Sequence, residues 1–263
     1  MNDPIVGVTN LHKTYLSEKG DNVALTGVSF DVERGEVVAI VGPSGAGKTT
    51  VLRIVAGLLD PTTGHAEVNG SPVMGAPPKE VGFVFQDYSR SLLPWLSVMS
   101  NVTLPLRSKG LSKSEAVTKA REALEAVGLS GRERAHPREL SGGMQQRVAI
   151  ARAVAYEPEL LLMDEPFASV DAQTRMDLED LVLPLRDRFG VSILFVTHDV
   201  DEAVYLSDRI VVLSPPPSVV RRIVDVPLPK PRDQHYTKAD PRFADLRGEV
   251  LDLVRATDVA HQS

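Results

Sequence analysis

The chain has 263 residues, 43% hydrophobic and 24% charged, which excludes a disordered class and suits one large domain or a domain with a subdomain. Its formal net charge of -6 argues against broad nucleic-acid binding, because neutralising phosphates needs clustered Lys and Arg. The absence of cysteine excludes disulfides, thiolate metal sites and iron–sulfur clusters and is compatible with a reducing compartment.

The amino terminus has no basic segment leading into an apolar core, and no apolar run reaches membrane-spanning length. The expectation is a chain that neither crosses a membrane nor is exported by the usual route. Apolar runs at Ile5 to Val8, Val28 to Val32 and Val37 to Val41 read as strands. Tyr15 falls in the polar stretch after the first run, where it is either an aromatic free to stack on a flat ligand ring or a partly buried loop tyrosine. The third run leads into Gly42-Pro43-Ser44-Gly45-Ala46-Gly47-Lys48-Thr49, followed by a helical pattern through Val51, Leu52, Val55 and Leu58. Strand, glycine loop and helix are the context of a phosphate loop: the glycines let successive N–H groups turn inward, Lys48 offers charge to the β- and γ-phosphates, and Thr49 offers a hydroxyl to magnesium.

Thr62 to Ala76 reads as a turn-rich hairpin region, and Val81 to Phe85 as a buried strand that delivers Gln86. Gln86 is either an ordinary loop residue or a side-chain amide set to coordinate a metal or position a water. The loop beyond it, with Tyr88, Leu92, Leu93, Pro94 and Trp95, is either subdomain core or a docking surface for another protein. Residues 97 to 139 read as helical, with a capping box at Ser112 and Glu115, apolar positions Val117, Ala120, Leu124 and Val127, and a stop at Gly128.

In Leu140 to Arg147, Ser141 followed by Gly142 and Gly143 puts a capping hydroxyl and unshielded N–H groups at a helix start, an anion site or an ordinary cap. Leu160 to Met163 then reads as a central strand that delivers Asp164 and Glu165. Adjacent carboxylates at a buried strand end read as a division of labour: Asp164 holds magnesium, directly or through water, and Glu165 takes a proton from the attacking water. Asp171 reads as the cap of the next helix, and the strand Val191 to Val196 delivers His198, either a structural histidine or one set at the end of the sheet where ligands bind. After Pro215-Pro216-Pro217, Val219 to Val226 reads as a hairpin strand, Leu228 to Asp240 as a Pro-rich linker, and Arg242 to Arg255 as an amphipathic helix that packs as an extension.

These motifs in this order make the chain resemble the nucleotide-binding subunit of an ABC transporter over roughly residues 5 to 225. The resemblance implies an α/β fold: a P-loop NTPase ABC cassette with a mixed central sheet, an antiparallel β subdomain and an α-helical signature subdomain. In domain terms it implies an ATP-binding domain over 1–225, with the helical subdomain inserted at about 87–157, and an extension over 226–263. It assigns Tyr15 to adenine stacking, Gly42 to Thr49 with Thr50 to the phosphates, Gln86 to the Q-loop and metal, and Ser141, Gly142, Gly143 and Gln145 to the nucleotide of a second subunit. Asp164 becomes the metal ligand, Glu165 and His198 with Gln86 the hydrolytic residues, and Asp171 the D-loop.

A narrower similarity, to the nitrate, sulfonate and taurine importer branch, rests on Phe83 to Asp87, Leu92 to Trp95, Glu165-Pro166-Phe167, Asp171 to Arg175 and Val226 to Asp233. Met144, Ser169-Val170 and a slightly longer segment between Gln86 and Pro94 depart from that branch without removing a needed chemical group. The similarity implies a homodimeric ATPase using ATP and Mg2+ at the cytoplasmic face of the inner membrane. Its partners would be permease subunits docked near Leu92–Trp95 and an extracytoplasmic solute-binding protein, with no nucleic acid. The alternatives are a soluble mechanical ATPase and a non-hydrolysing scaffold cassette.

Overall fold

The structure is a computed structural model and describes residues 3–16, 20–87 and 91–259; Tyr88 lies outside them. Among the described residues two sheets share the work. The first, in the order β2-β1-β4-β5, is antiparallel and consists of β1 (Val6–Tyr15), β2 (Asn22–Val32), β4 (Thr63–Val68) and β5 (Ser71–Pro72). The second, in the order β10-β9-β3-β8-β7-β6, holds β3 (Val37–Val41), β6 (Val81–Val84), β7 (Leu160–Asp164), β8 (Ser192–Val196), β9 (Arg209–Leu213) and β10 (Val220–Asp225). It is parallel except for β10, which returns antiparallel to β9 as the hairpin expected there.

The parallel strands read as unbroken apolar runs because both of their faces are buried. Val37, Ala39 and Val41 face one core, with Leu161, Met163, Ile193 and Phe195. Val38 and Ile40 face the other, with Leu160, Leu162, Leu194 and Val196. That second core is closed by α1 (Lys48–Val55) and the antiparallel sheet; Leu58, expected on the same helical face, lies beyond α1 and is exposed. Strand β1 runs further than its apolar residues suggest: pairing with β2 continues through shifts in register to Tyr15 opposite Asn22. Tyr15 therefore ends a strand. Solvated strands of an antiparallel sheet tolerate residues such as Asn10 and Lys13, which hide the period from sequence.

The first core extends into the helical block of α2 (Val98–Ser108), α3 (Lys113–Ala126) and α4 (Gly142–Ala155). The capping box is present: Ser112 Oγ accepts from the Glu115 amide at 3.3 Å, and Glu115 accepts from the Ser112 amide at 2.9 Å. Gly128, at φ 72°, ends that helix by adopting the left-handed conformation a side chain resists. Helices α5 (Ala172–Phe189) and α6 (Val200–Leu206) follow β7 and β8.

The Pro-rich stretch is held down along its length. Val226, Leu228, Phe243 and Val250 join the first core. The buried Arg232 guanidinium donates to Val204 O and Tyr205 O at 3.3 and 2.6 Å. A short helix, α7 (Tyr236–Ala239), forms inside the stretch read as linker, and α8 (Pro241–Val259) completes the chain as a packed helix. Sequence patterning does not reveal this anchoring, because the contacts come from partners more than twenty residues away.

Candidate active site

At the end of β3, the loop from Gly42 closes on itself before α1 begins. Lys48 Nζ donates to Gly42 O and Pro43 O at 2.9 and 3.1 Å, so its charge is held inside the loop. Burial lowers the Lys48 pKa, and the nearby Glu165 and Asp164 carboxylates oppose that shift. Gly47 stands at φ 73°, and a Cβ there would meet Leu25 Cδ2 at 2.7 Å, so the turn into α1 requires glycine. Thr49 Oγ1 donates to Asp164 Oδ1 at 2.8 Å and thereby ties the loop to the end of β7. Burial raises the Asp164 pKa, with the Thr49 hydrogen bond acting against it.

Glu165 follows with a left-handed backbone, φ 44°, which costs a non-glycine residue about 1–3 kcal/mol and is found where surrounding structure enforces it. Here its amide is bonded to Val196 O of the neighbouring strand at 2.9 Å. The carboxylate meets two partners on one oxygen: Gln86 Nε2 donates to Oε2 at 3.1 Å, and His198 Nδ1 lies 3.1 Å from the same atom. Tyr15, Ser44 to Thr50, Glu165 and His198 line one cavity of about 590 Å³, with Tyr15 OH 3.0 Å from Thr50 Oγ1. Gln86 and Asp164 line a second, larger cleft of about 860 Å³ with Phe83, Phe85, Leu104, Pro105 and Tyr156. The Gln86 to Glu165 and Thr49 to Asp164 bonds both run between the two.

Ser141, Gly142, Gly143 and Gln145 are not brought to the phosphate-loop cavity. Ser141 caps α4, its Oγ accepting from the Met144 amide at 3.3 Å. With Gly143 it lines a third cavity, beside Gly128, Arg132, Arg147, Thr174 and Asp177. Gln145 turns back to Pro137 O and Leu140 O at 3.0 and 3.2 Å. The phosphate loop and the Ser141 helix start are therefore two separate surfaces of one chain.

The family model described as ABC transporter matches residues 25–168. The nitrate import ATP-binding protein NrtD of Synechocystis sp. is 42% identical over 256 residues, 95% of this chain and 95% of its own length. The aliphatic sulfonates import ATP-binding protein SsuB of Bacillus cereus is 39% identical over 246 residues, 94% of each chain. The chain belongs to the ABC transporter family. A solved ATP-binding cassette, a dimer in a post-hydrolysis state bound to ADP and Pi, matches with a TM-score of 0.73 at 35% identity, covering 84% of this chain and 98% of that one.

Within this ABC cassette Gly143 has a packing role that the sequence does not show. A Cβ on Gly143 would stand 2.3 Å from Thr174 Cγ2, so the close approach of α4 to the start of α5 depends on it. Thr174 in turn donates to the Asp171 cap from its amide and its hydroxyl, at 3.0 and 2.7 Å, and these bonds hold the Asp171 carboxyl below the usual carboxylate range. Gln146, fully buried in α4, donates to Pro166 O at 2.6 Å and locks that helix to the segment after Glu165.

Asn101 was also missed. Its side chain is buried, accepts from the Leu93 amide at 2.8 Å and donates to Leu93 O, Leu96 O and Ser97 O, each at 3.1 Å, pinning the loop expected to dock a partner. A lone Asn among Val98, Val102 and Leu106 was the available signal. The loop itself divides: Leu92 is core at 1% exposure, whereas Trp95 is 71% exposed.

Proposed function

We propose that the chain is the ATP-hydrolysing subunit of an importer for a small anion. It works as a homodimer at the cytoplasmic face of the inner membrane, with permease subunits and an extracytoplasmic solute-binding protein. The relatives named for nitrate and sulfonate import support the anion class. No described helix is long and apolar enough to cross a membrane, which accords with a peripheral subunit served by separate permeases. The observation that carries the hydrolytic reading is the shared Oε2 of Glu165, contacted by Gln86 and His198 at the wall of the phosphate-loop cavity.

In this reading Tyr15 stacks on adenine, the amides of Gly42 to Thr50 and Lys48 receive the phosphates, and Glu165 accepts the proton of the attacking water while His198 steadies its carboxylate. The donors fit magnesium: Thr49, Asp164 and Gln86 supply one hydroxyl, one carboxylate and one amide. Among the described residues no group of three or more His, Cys, Asp and Glu competes for another metal. Such a sparse oxygen set suits a hard cation that keeps waters and takes further ligands from phosphates. Bound there, magnesium would neutralise charge on the β- and γ-phosphates.

Ser141, Gly142, Gly143 and Gln145 serve the nucleotide held by the other copy, which accounts for their separation from this chain's own cavity. The permease sits in the cleft of Phe85, Leu104 and Pro105, near the Leu92–Trp95 loop, with the exposed Trp95 the loop's contact. Movement there reaches Glu165 through Gln86. The test is phosphate release from ATP by wild type and Glu165→Gln, with nucleotide binding measured alongside. The variant binds ATP and loses turnover; a variant with normal turnover would remove Glu165 as the base.

A further inference from the structure

Arg175 stands one turn inside α5, its amide donating to Asp171 O at 2.9 Å, and its side chain leaves that helix for the loop that carries His198. NH1 lies 3.2 Å from Asp199 Oδ2, and Nε lies 3.6 Å from Glu202 Oε1. Asp199 caps α6 by accepting from the amides of Asp201 and Glu202. Glu202 accepts the Thr197 hydroxyl at 2.5 Å, and that hydroxyl accepts from the Asp199 amide at 3.0 Å. Thr197 and Asp199 are the residues on either side of His198. Its own side chain is 64% exposed, so packing does little to orient the ring, and its place at Glu165 follows the backbone of 197 to 199.

The burial of the acids sharpens the point. Glu202 and Glu179 are 4% and 2% exposed, and neither lines the nucleotide cavity. Buried carboxylates are costly unless paired, so each needs its partner explained. Glu179, one turn after Arg175 on the same helix, would compete for the guanidinium. It is instead occupied by the carboxy-terminal segment: Gln234 Nε2 donates to it at 2.8 Å, and Lys238 Nζ does so at 3.3 Å. Arg175 is thereby left to the His198 loop. The gap between these groups, about 10 Å³ and lined by Glu165, Ala168, Arg175, Thr197, His198 and Glu202, is too small for a ligand and marks a packed joint.

We propose that Arg175 is a positioning residue for His198: through Asp199 and Glu202 it fixes both neighbours of that ring and couples them to the Asp171 turn. The proposal rests on the reading of Glu165 and His198 as the hydrolytic pair. It is tested on the full chain by steady-state phosphate release and thermal melting of wild type, Arg175→Met, His198→Ala and the double variant.

Displacing a catalytic group by a fraction of an ångström should cost about tenfold in kcat, with KM for ATP within about twofold. In the His198→Ala background Arg175→Met should then cost less than about twofold, because residues acting through one group are not additive. A fully additive cycle on an impaired His198→Ala enzyme would overturn the coupling and leave the hydrolytic reading standing. Unaltered kcat in His198→Ala would overturn both. Should Arg175→Met unfold, Arg175→Met/Glu202→Gln removes the unpaired buried charge and keeps an acceptor for Thr197. Its melting temperature recovers while kcat stays low, since the tie to Asp199 is still missing; kcat recovering together with stability would reduce Arg175 to a structural role.

Discussion

Gln86 donates from Nε2 to Glu165 Oε2 at 3.1 Å, and the two residues line different cavities, Gln86 the apolar cleft and Glu165 the phosphate-loop cavity. This side-chain bond is thus one point where a change in the cleft reaches the carboxylate read here as the base. Hydrogen bonds to a charged group contribute about 1.5–3 kcal/mol, enough to shift the placement of that carboxylate but too little to lock it. We predict that Gln86→Leu lowers kcat for ATP by about tenfold and raises the magnesium concentration needed for half-maximal rate. Unchanged magnesium dependence in phosphate-release assays would take Gln86 out of the metal set.

Glu165→Gln keeps the shape of the side chain and removes its basicity, so turnover should fall by about 10²- to 10⁴-fold while ATP binding persists. With hydrolysis blocked, ATP should drive the chain into a dimer visible by size-exclusion chromatography. Persistence as a monomer at saturating ATP would count against the closed two-copy arrangement.

Gly143→Ala places a methyl group where Thr174 Cγ2 stands, 2.3 Å away, and either α4 or the Asp171 turn must give. Overpacking of this kind costs about 1–3 kcal/mol. Thr174→Ser removes the clashing methyl, leaving contacts of 3.6 Å and beyond, and keeps the hydroxyl that bonds Asp171. The double variant should therefore recover both the melting temperature and the ATPase lost by Gly143→Ala. Recovery of the melting temperature without the ATPase would mean that the unshielded N–H of Gly143, and not its packing, is what turnover requires.

Burial pushes the Glu202 carboxyl from 4.5 up to about 7, with Asp199 and Glu179 adding to the shift and the Thr197 hydroxyl and Arg175 opposing it. Between those values the folded chain keeps a proton that the unfolded chain releases, so this group's contribution to stability falls as pH rises through the window. Below the window both states are protonated and the contribution is constant. Melting temperatures followed across the same range should show a shallower decline for Glu202→Gln than for wild type; parallel curves would show that Glu202 is ionised throughout.

Much of the site was legible because its signals are local. The spacing of Gly42, Gly45, Gly47, Lys48 and Thr49 describes one loop whose donors must face inward, and Asp164-Glu165 after Leu160 to Met163 describes one strand end. The capping residues Ser112, Ser141 and Asp171 are read equally well, because each accepts from an amide three residues ahead. The full extent of β1 and the anchoring of the Pro-rich stretch were not legible, since solvated strands and buried guanidinium contacts leave no period.

The sequence by itself determined which chemical groups exist and which turn or strand end presents each, since backbone geometry over a few residues obeys short-range sterics and hydrogen bonding. Only the tertiary structure decided which groups meet. Gln86 and His198 converge on Glu165 from 79 and 33 residues away because β6, β7 and β8 are neighbours in one parallel sheet and end at the same edge. The same packing set Gly143 against Thr174, gave Glu179 to the carboxy-terminal segment and left Arg175 to the His198 loop. These choices depend on which long-range neighbours can share a buried space.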